Sequence, residues 1–150
     1  MERERFSMLV TVHILFIKNN QILLLLRKNI SSDGLYSVVA GHLNGGETVT
    51  EAVIREAKEE ADILVEPEDI EFKTVCHSYN KKNQKEIIQF YVICKKWNGE
   101  IKNNEPEKCG GLEFFSLKDL PKNMVPYVRV GIAMTLNGVK YYEYGWHGED

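Results

Sequence analysis

The sequence predicts an α+β domain in which a mixed sheet is layered between helices. Three observations lead there. Runs rich in β-branched and aromatic residues recur at short intervals, as strands require. One Glu- and Ala-rich segment without Gly or Pro, Thr48 to Ala61, is the clearest helix of the chain. A second apolar segment, Val125 to Leu136, runs into Asn137-Gly138, a helix stop. Strands interleaved with two helices build layers around one core. A chain of 150 residues is the length of one domain, expected here over 1–150.

Phe6 to Lys18 reads as the first strand, and Asn19-Asn20 as the turn after it. Ile22 to Leu26 is an unbroken apolar run, suited to a strand buried on both faces, and completes a hairpin. Asn29 to Gly34 is a polar loop, and Leu35 to Ala40 a short strand. Gly41 to Gly46 holds three glycines and reads as a loop with unusual backbone angles. After the helix, Glu71 to Ser78 and Ile87 to Trp97 are strands joined by a polar connection. Asn98-Gly99 predicts a tight hairpin turn into Glu100-Ile101. Leu112 to Phe115 is a short strand, Leu117 to Leu120 a helical turn stopped by Pro121, and Val139 to Tyr144 a last strand.

The formal net charge of −3 argues against a binder of nucleic acid polymers, whose footprint is basic. It leaves room for a small phosphorylated ligand, which needs only a local basic patch. The longest apolar stretch, Met8 to Ile17, is too short to span a bilayer, and the charged N-terminus lacks the pattern of a secretory signal. Cys76, Cys94 and Cys109 are odd in number, far apart and without zinc-finger spacing. The expected compartment is the reducing cytoplasm.

The predicted helix carries an anomaly. At about 100° per residue, Val49, Ala52, Val53, Ala57 and Ala61 share one face. Glu56, Glu59 and Glu60 form an arc beside it. Like charges at this spacing cost about a few tenths of a kcal/mol per pair, and carboxylates near a helix C-terminus oppose the macrodipole. Local stability does not account for the arrangement. Divalent cations such as Mg²⁺ and Mn²⁺, which take carboxylate oxygens, do. Runs of Glu on a helix are also common as solvated faces. The glycine-rich turn feeding the helix N-terminus adds a place for anions, because free amides and the helix dipole meet there. An acidic metal site beside a phosphate cradle suggests diphosphate chemistry.

Gly41-His42-Leu43-Asn44-Gly45-Gly46-Glu47, followed by Arg55-Glu56-Ala57-Lys58-Glu59-Glu60-Ala61-Asp62-Ile63, resembles the box that defines the Nudix family. The family pattern is Gly, five residues, Glu, seven residues, then Arg-Glu-apolar-any-Glu-Glu-any-Gly-apolar. One defining position departs: Asp62 stands where the family has Gly. That Gly ends the helix in the left-handed conformation, where Asp is tolerated better than most residues. Val39-Ala40-Gly41-His42-Leu43 resembles the Ala-Gly-His variant of the MutT-like loop. Glu105-Pro106-Glu107-Lys108-Cys109 and Leu112-Glu113-Phe114-Phe115 resemble a downstream segment of members acting on nucleoside triphosphates.

The resemblance implies a Nudix-type α/β/α sandwich and a metal-dependent pyrophosphohydrolase of a nucleoside diphosphate linked to another group. It implies Mg²⁺ or Mn²⁺ held by Glu56, Glu59, Glu60 and the Gly41 carbonyl. Arg55 would pair with Glu47 or its neighbours and orient the carboxylates. The general base is a box glutamate or one from a distant loop, and Glu59 is the choice here; Glu56, Arg55 and Glu47 complete the expected catalytic set. Arg27, Lys28, His42 and Phe114 are the substrate-binding candidates, with Phe115, Trp97, Tyr36 and Tyr79 as further aromatics able to stack on a base or simply to pack. Trp146 either closes the pocket or packs on the sheet. Glu86 and Glu107 are candidate extra ligands. The first expectation for substrate is a (deoxy)nucleoside triphosphate, cleaved to monophosphate and pyrophosphate, since the short chain leaves little room for N-terminal dimerising strands. The alternative is a nucleotide sugar, ADP-ribose or a dinucleoside polyphosphate. A non-catalytic nucleotide sensor would carry a broken box, and this box keeps its carboxylates; a purely structural acidic helix would not explain Gly41 and Glu47 at their offsets. The protein is expected as a monomer or homodimer.

Overall fold

In chain order the computed structural model, which describes residues 3–148, contains β1 (Leu9–Lys18), β2 (Gln21–Arg27), β3 (Tyr36–Ser37), β4 (Val39–His42), α1 (Val49–Ala61), β5 (Ile70–Asn80), β6 (Lys85–Cys94), β7 (Cys109–Ser116), α2 (Pro126–Leu136) and β8 (Tyr141–Tyr144). β1 organises the rest. Its residues Thr11 to Ile14 pair antiparallel with β4, and Leu9 to Phe16 run parallel to β6. Its last two residues, Ile17 and Lys18, pair with Ile22 and Gln21 of β2. Asn19 and Asn20 make that turn with φ of 52° and 61°, left-handed angles that Asn tolerates. β5 pairs antiparallel with β6 and parallel with β8, while β2 pairs antiparallel with β3 and β7. The sheet is therefore mixed, as expected.

Side chains alternate across it. Val12, Ile14 and Phe16 of β1 join Leu23, Val39 and Val92 in a core under Ala52, Val53, Ala57 and Ala61 of α1. Leu15, Ile22, Leu24, Tyr91 and Ile93 face the other way and pack with Val128 and Ile132 of α2. This is the α/β/α sandwich, with one helix on each face. No helix among the described residues is long and apolar enough to cross a membrane.

Several local expectations are corrected. The segment Leu35 to Ala40 is two short strands, because β3 pairs with β2 whereas β4 pairs with β1. Gly41 and His42 consequently belong to β4 and not to the loop. Asn98-Gly99 makes no hairpin. Asn98 exchanges backbone hydrogen bonds with Leu64, both at 2.9 Å, and residues 99–104 form no strand. Leu117 to Leu120 is a turn closed by Asp119 N donating to Ser116 O at 3.0 Å, not a helix.

One buried polar residue of β1 stands apart from the apolar pattern. His13 is 3% exposed, its ring stacked on Tyr91 with centroids 4.7 Å apart and set edge-on to Tyr127. Its Nδ1 has no hydrogen-bond partner among the described residues. Burial, reinforced by His42 and Arg27, lowers its pKa from 6.5 to about 3. Between those values the unfolded chain takes a proton that the folded chain refuses, so stability falls as pH drops. Relative to His13→Gln, the wild-type protein is expected to lose about 3 kcal/mol of unfolding free energy between about pH 7 and pH 4. Denaturant unfolding across that range measures it, and parallel profiles for the two proteins would refute it.

Candidate active site

The site begins at the N-terminus of α1. Thr48 caps the helix: its hydroxyl accepts from Glu51 N at 3.1 Å, and the Glu51 carboxylate reaches back to Thr48 N. This fixes the direction in which the helix leaves the loop. At the other end Asp62 takes φ 57° and ψ 33°, the left-handed cap expected of the residue that replaces Gly. Asp62 N donates to Lys58 O and Ile63 N to Ala57 O, closing the helix.

Between these ends Arg55 gathers the loop and the helix. Its Nε and Nη2 grip both oxygens of Glu47, at 3.0 and 2.8 Å. Nη2 also donates to the His42 carbonyl at 3.0 Å. Nη1 donates to Glu56 at 2.8 Å and to Glu59 at 3.2 Å. The paired Arg55 contact, with Asn44 N adding a bond at 2.8 Å, holds the Glu47 carboxyl down to about 2. Glu47 is thus a fixed anion whose work is to orient Arg55.

The carboxylates differ sharply among themselves. Glu56 is 7% exposed, and burial pushes its pKa up against the opposing pull of Arg55. Its carboxylate lies against the Gly41 backbone. A Cβ built on Gly41 would stand 2.0 Å from Glu56 Oε1, so only glycine admits this approach. Glu60 turns toward the same strand and accepts from Ala40 N at 3.0 Å. Burial, then the charge of Glu56, raises the Glu60 carboxyl well above its usual range. Glu59 is different, with 52% of its side chain exposed.

Glu56, buried, and Glu60, partly buried, are mutually repelling carboxylates against a strand backbone, a set that suits a hard divalent cation, which would supply the missing counter-charge. The residues fit such an ion. They are not drawn together as a finished cage, however: among the described residues no three His, Cys, Asp or Glu side chains converge on one point. Arg55 holds Glu56 and Glu59, while Glu60 is turned to Ala40.

Beside Glu60 opens a small pocket. Arg27, Ala40, Glu60, Glu105, Lys108 and Cys109 contribute to its lining. Arg27 is held by Ser31, through Nε to the carbonyl at 2.6 Å and Nη2 to the hydroxyl at 3.0 Å. The charge of Glu105 acts on both Glu56 and Glu60. Lys108 Nζ lies 3.8 Å from Glu105.

The other predicted residues fall outside this grouping. Lys28 is exposed and meets the neighbouring loop only through its backbone, donating to Lys108 O at 2.9 Å. The His42 side chain is exposed, and its carbonyl serves Arg55. Phe114 stacks on Trp97 and packs on the core under α1, and Phe115 packs edge-on to Tyr36. Tyr79 stacks on Trp146, whose Nε1 donates to His77 O at 3.0 Å. Glu86 pairs with His77, and Glu107 is exposed. The acid that faces the box is Glu105, and the added cation is Lys108. Both lie in the Glu105-to-Cys109 segment, but only the pairing of Cys109 with Arg27 decides which of its side chains turn inward.

The NUDIX domain model matches residues 8–133, most of the chain. The chain belongs to the Nudix family. It is 35% identical over 113 residues to an ADP-ribose pyrophosphatase of Methanocaldococcus jannaschii. That match covers 75% of this chain and spans 64% of the length of the relative. A MutT NUDIX hydrolase of Burkholderia pseudomallei superposes with a TM-score of 0.78 at 24% identity, over 90% of this chain and all of that one. A bifunctional NMN adenylyltransferase/ADP-ribose pyrophosphatase of Francisella tularensis, solved with AMP and Mn ion, gives 0.70 at 23% identity over 87% of this chain and 42% of that one. These structural likenesses establish the fold.

Gly41→Ala tests the approach of Glu56 to β4. Gly41 has no left-handed φ, so alanine strains no backbone and collides only with the carboxylate. The variant is expected to keep its thermal midpoint within a few degrees and to bind Mn²⁺ about tenfold more weakly or worse. Calorimetric titration checks this, and unchanged affinity would sink it.

Proposed function

We propose that this Nudix domain hydrolyses the phosphoric anhydride of a nucleoside diphosphate linked to a second group, with ADP-ribose as its first substrate. The observation that carries the chemistry is the opposition of two surfaces. Glu56, buried, and Glu59, exposed, are ordered by Arg55 on one side, and the cations Arg27 and Lys108 share a pocket wall with Glu60. Such a site sets carboxylates that suit a divalent metal beside cations that suit its anionic ligand. The substrate choice draws on the relative named an ADP-ribose pyrophosphatase. It replaces the triphosphate that the sequence suggested first.

In this reading Glu56, Glu60 and the Gly41 carbonyl would hold Mg²⁺ or Mn²⁺, with Glu59 completing the set. When bound, the metal would neutralise phosphate oxygens and make water a better nucleophile. The chain does the rest. Arg55, anchored by Glu47, fixes the orientation of Glu56 and Glu59. Glu59, the exposed box carboxylate, accepts the proton of the attacking water. Glu105, a further carboxylate on the facing loop, acts on Glu56 and Glu60 and would add its charge to the field holding a metal there. Arg27 and Lys108 bind the phosphate that the metal does not neutralise. The triphosphate remains a second reading because two pocket cations also suit a longer phosphate chain.

A turnover screen with Mg²⁺ or Mn²⁺ tests this over ADP-ribose, nucleotide sugars, dinucleoside polyphosphates and nucleoside triphosphates. AMP and ribose phosphate from ADP-ribose are expected as the fastest products, lost on chelation and reduced about 10²-fold or more in Glu60→Gln. Faster release of pyrophosphate from triphosphates would overturn the substrate and keep the chemistry. No turnover by folded, metal-binding protein would overturn the hydrolase reading in favour of a sensor.

A further inference from the structure

The segment that carries Glu105 and Lys108 is closed by a single side chain. Asn103 Oδ1 accepts from Glu105 N at 3.1 Å, and Asn103 Nδ2 donates to Cys109 O at 2.8 Å. One carboxamide thus bonds both ends of residues 105–109. Lys108 N and Cys109 N both donate to Glu105 O, at 2.9 and 2.8 Å, so the backbone doubles back and brings those ends together. Cys109 is also where β7 is irregular. It pairs with Arg27, whereas Gly111 pairs with Leu26, which leaves Gly110 as a bulge. The residues flanking Asn103 fasten it to α1. Lys102 N donates to Ala61 O at 2.9 Å, Asn104 N to Glu60 O at 3.4 Å, and Asn104 Nδ2 to Lys58 O at 3.1 Å. Ile101 packs against the core under that helix.

We propose that Asn103 is a positioning residue, whose carboxamide holds Glu105 and Lys108 together beside Glu60 and Arg27. The inference rests on the roles of Glu105 and Lys108 given above. These charged side chains line one pocket, with Glu105 and Lys108 on its loop side. Their own ion contact does not place them. At 3.8 Å, with 58% of the Lys108 side chain exposed, such a pair contributes little. Their placement therefore comes from the backbone of the segment, which Asn103 clamps. A carboxamide suits this work because it offers an acceptor and a donor from one planar end. Its oxygen meets an N–H and its nitrogen a C=O, so both partners set its orientation. Asn103 is half-buried, while Lys102 and Asn104 on either side of it are exposed.

The test compares Asn103→Ala, Glu105→Gln, Lys108→Ala and the triple variant. It reads kcat and KM on the fastest substrate of the screen and, independently of turnover, Mn²⁺ affinity by calorimetry. Each variant is assayed well below its thermal midpoint. Asn103→Ala is expected to lower kcat about fivefold or more, raise KM about threefold or more and weaken Mn²⁺ binding about threefold. In the triple variant it should add less than about twofold to the losses of Glu105→Gln and Lys108→Ala, because it acts through those side chains. A merely structural Asn103 would lower the thermal midpoint with kcat, KM and Mn²⁺ affinity unchanged, or would multiply the losses of the triple variant in full. Either result would overturn the proposal. Unchanged values in both Glu105→Gln and Lys108→Ala would overturn the roles of the loop and the inference with them. If the wild-type protein turns over nothing, Mn²⁺ affinity decides. Parallel weakening in Asn103→Ala and Glu105→Gln then supports the positioning, and weakening in Glu105→Gln alone refutes it.

Discussion

The grip of Arg55 on Glu47 is the interaction on which the site depends. Three carboxylates stand on one side of α1, and left to themselves they would splay toward water. Arg55 lies among them because both oxygens of Glu47 and the carbonyl of His42 hold its guanidinium from the loop side. A planar guanidinium suits this work, since its donors point in set directions and a lysine could not grip a carboxylate at two points. The arrangement is partly open to solvent, so its contribution is to geometry more than to stability. Its hydrogen bonds to Arg55 lower the Glu47 pKa to about 2, so the carboxylate stays ionised well below its ordinary range.

That grip matters only if the loop and the helix are brought to the same strand. β1 does this by dividing its partners. Leu9 to Phe16 take β6, with Thr11 to Ile14 also taking β4, and its last two residues turn into β2. β4 is thereby carried under the middle of α1, where Gly41 admits Glu56 and Ala40 N meets Glu60. The contact between strand and carboxylate is close because no side chain intervenes. A backbone amide facing a buried carboxylate also explains how Glu60 tolerates its position beside Glu56.

The helix and its chemistry were legible because they are local. Spacing along a helix fixes which side chains share a face, so Glu56, Glu59, Glu60 and Arg55 could be grouped from the sequence. The left-handed cap at Asp62 was legible from the family resemblance, as was the pairing of Arg55 with Glu47. Strand positions were mostly legible too, from runs such as Phe6 to Lys18, observed as Leu9–Lys18, and Ile22 to Leu26. What failed were boundaries set by pairing. Val38 looks like the middle of one strand, but its neighbours on either side pair in opposite directions across the fold. Asn98-Gly99 has the chemistry of a hairpin, yet the chain after it bonds to the free carbonyls of α1.

The sequence by itself determined the layered fold class and the acidic helix, which follow from short-range spacing that the backbone period converts into geometry. The resemblance of its box to the Nudix pattern supplied the family, the left-handed stop at Asp62 and the roles open to the box residues. Only the tertiary structure decided which distant side chains meet that helix. Glu105 and Lys108 face the site while Glu86 and Glu107 do not, Arg27 turns to the pocket while Lys28 turns away, and Phe114 is spent on packing against Trp97. Each of those outcomes depends on strand register, and a shift of one residue would reverse it. Register is settled by the packing of the whole sheet between its two helices, and no local stretch of sequence contains that information.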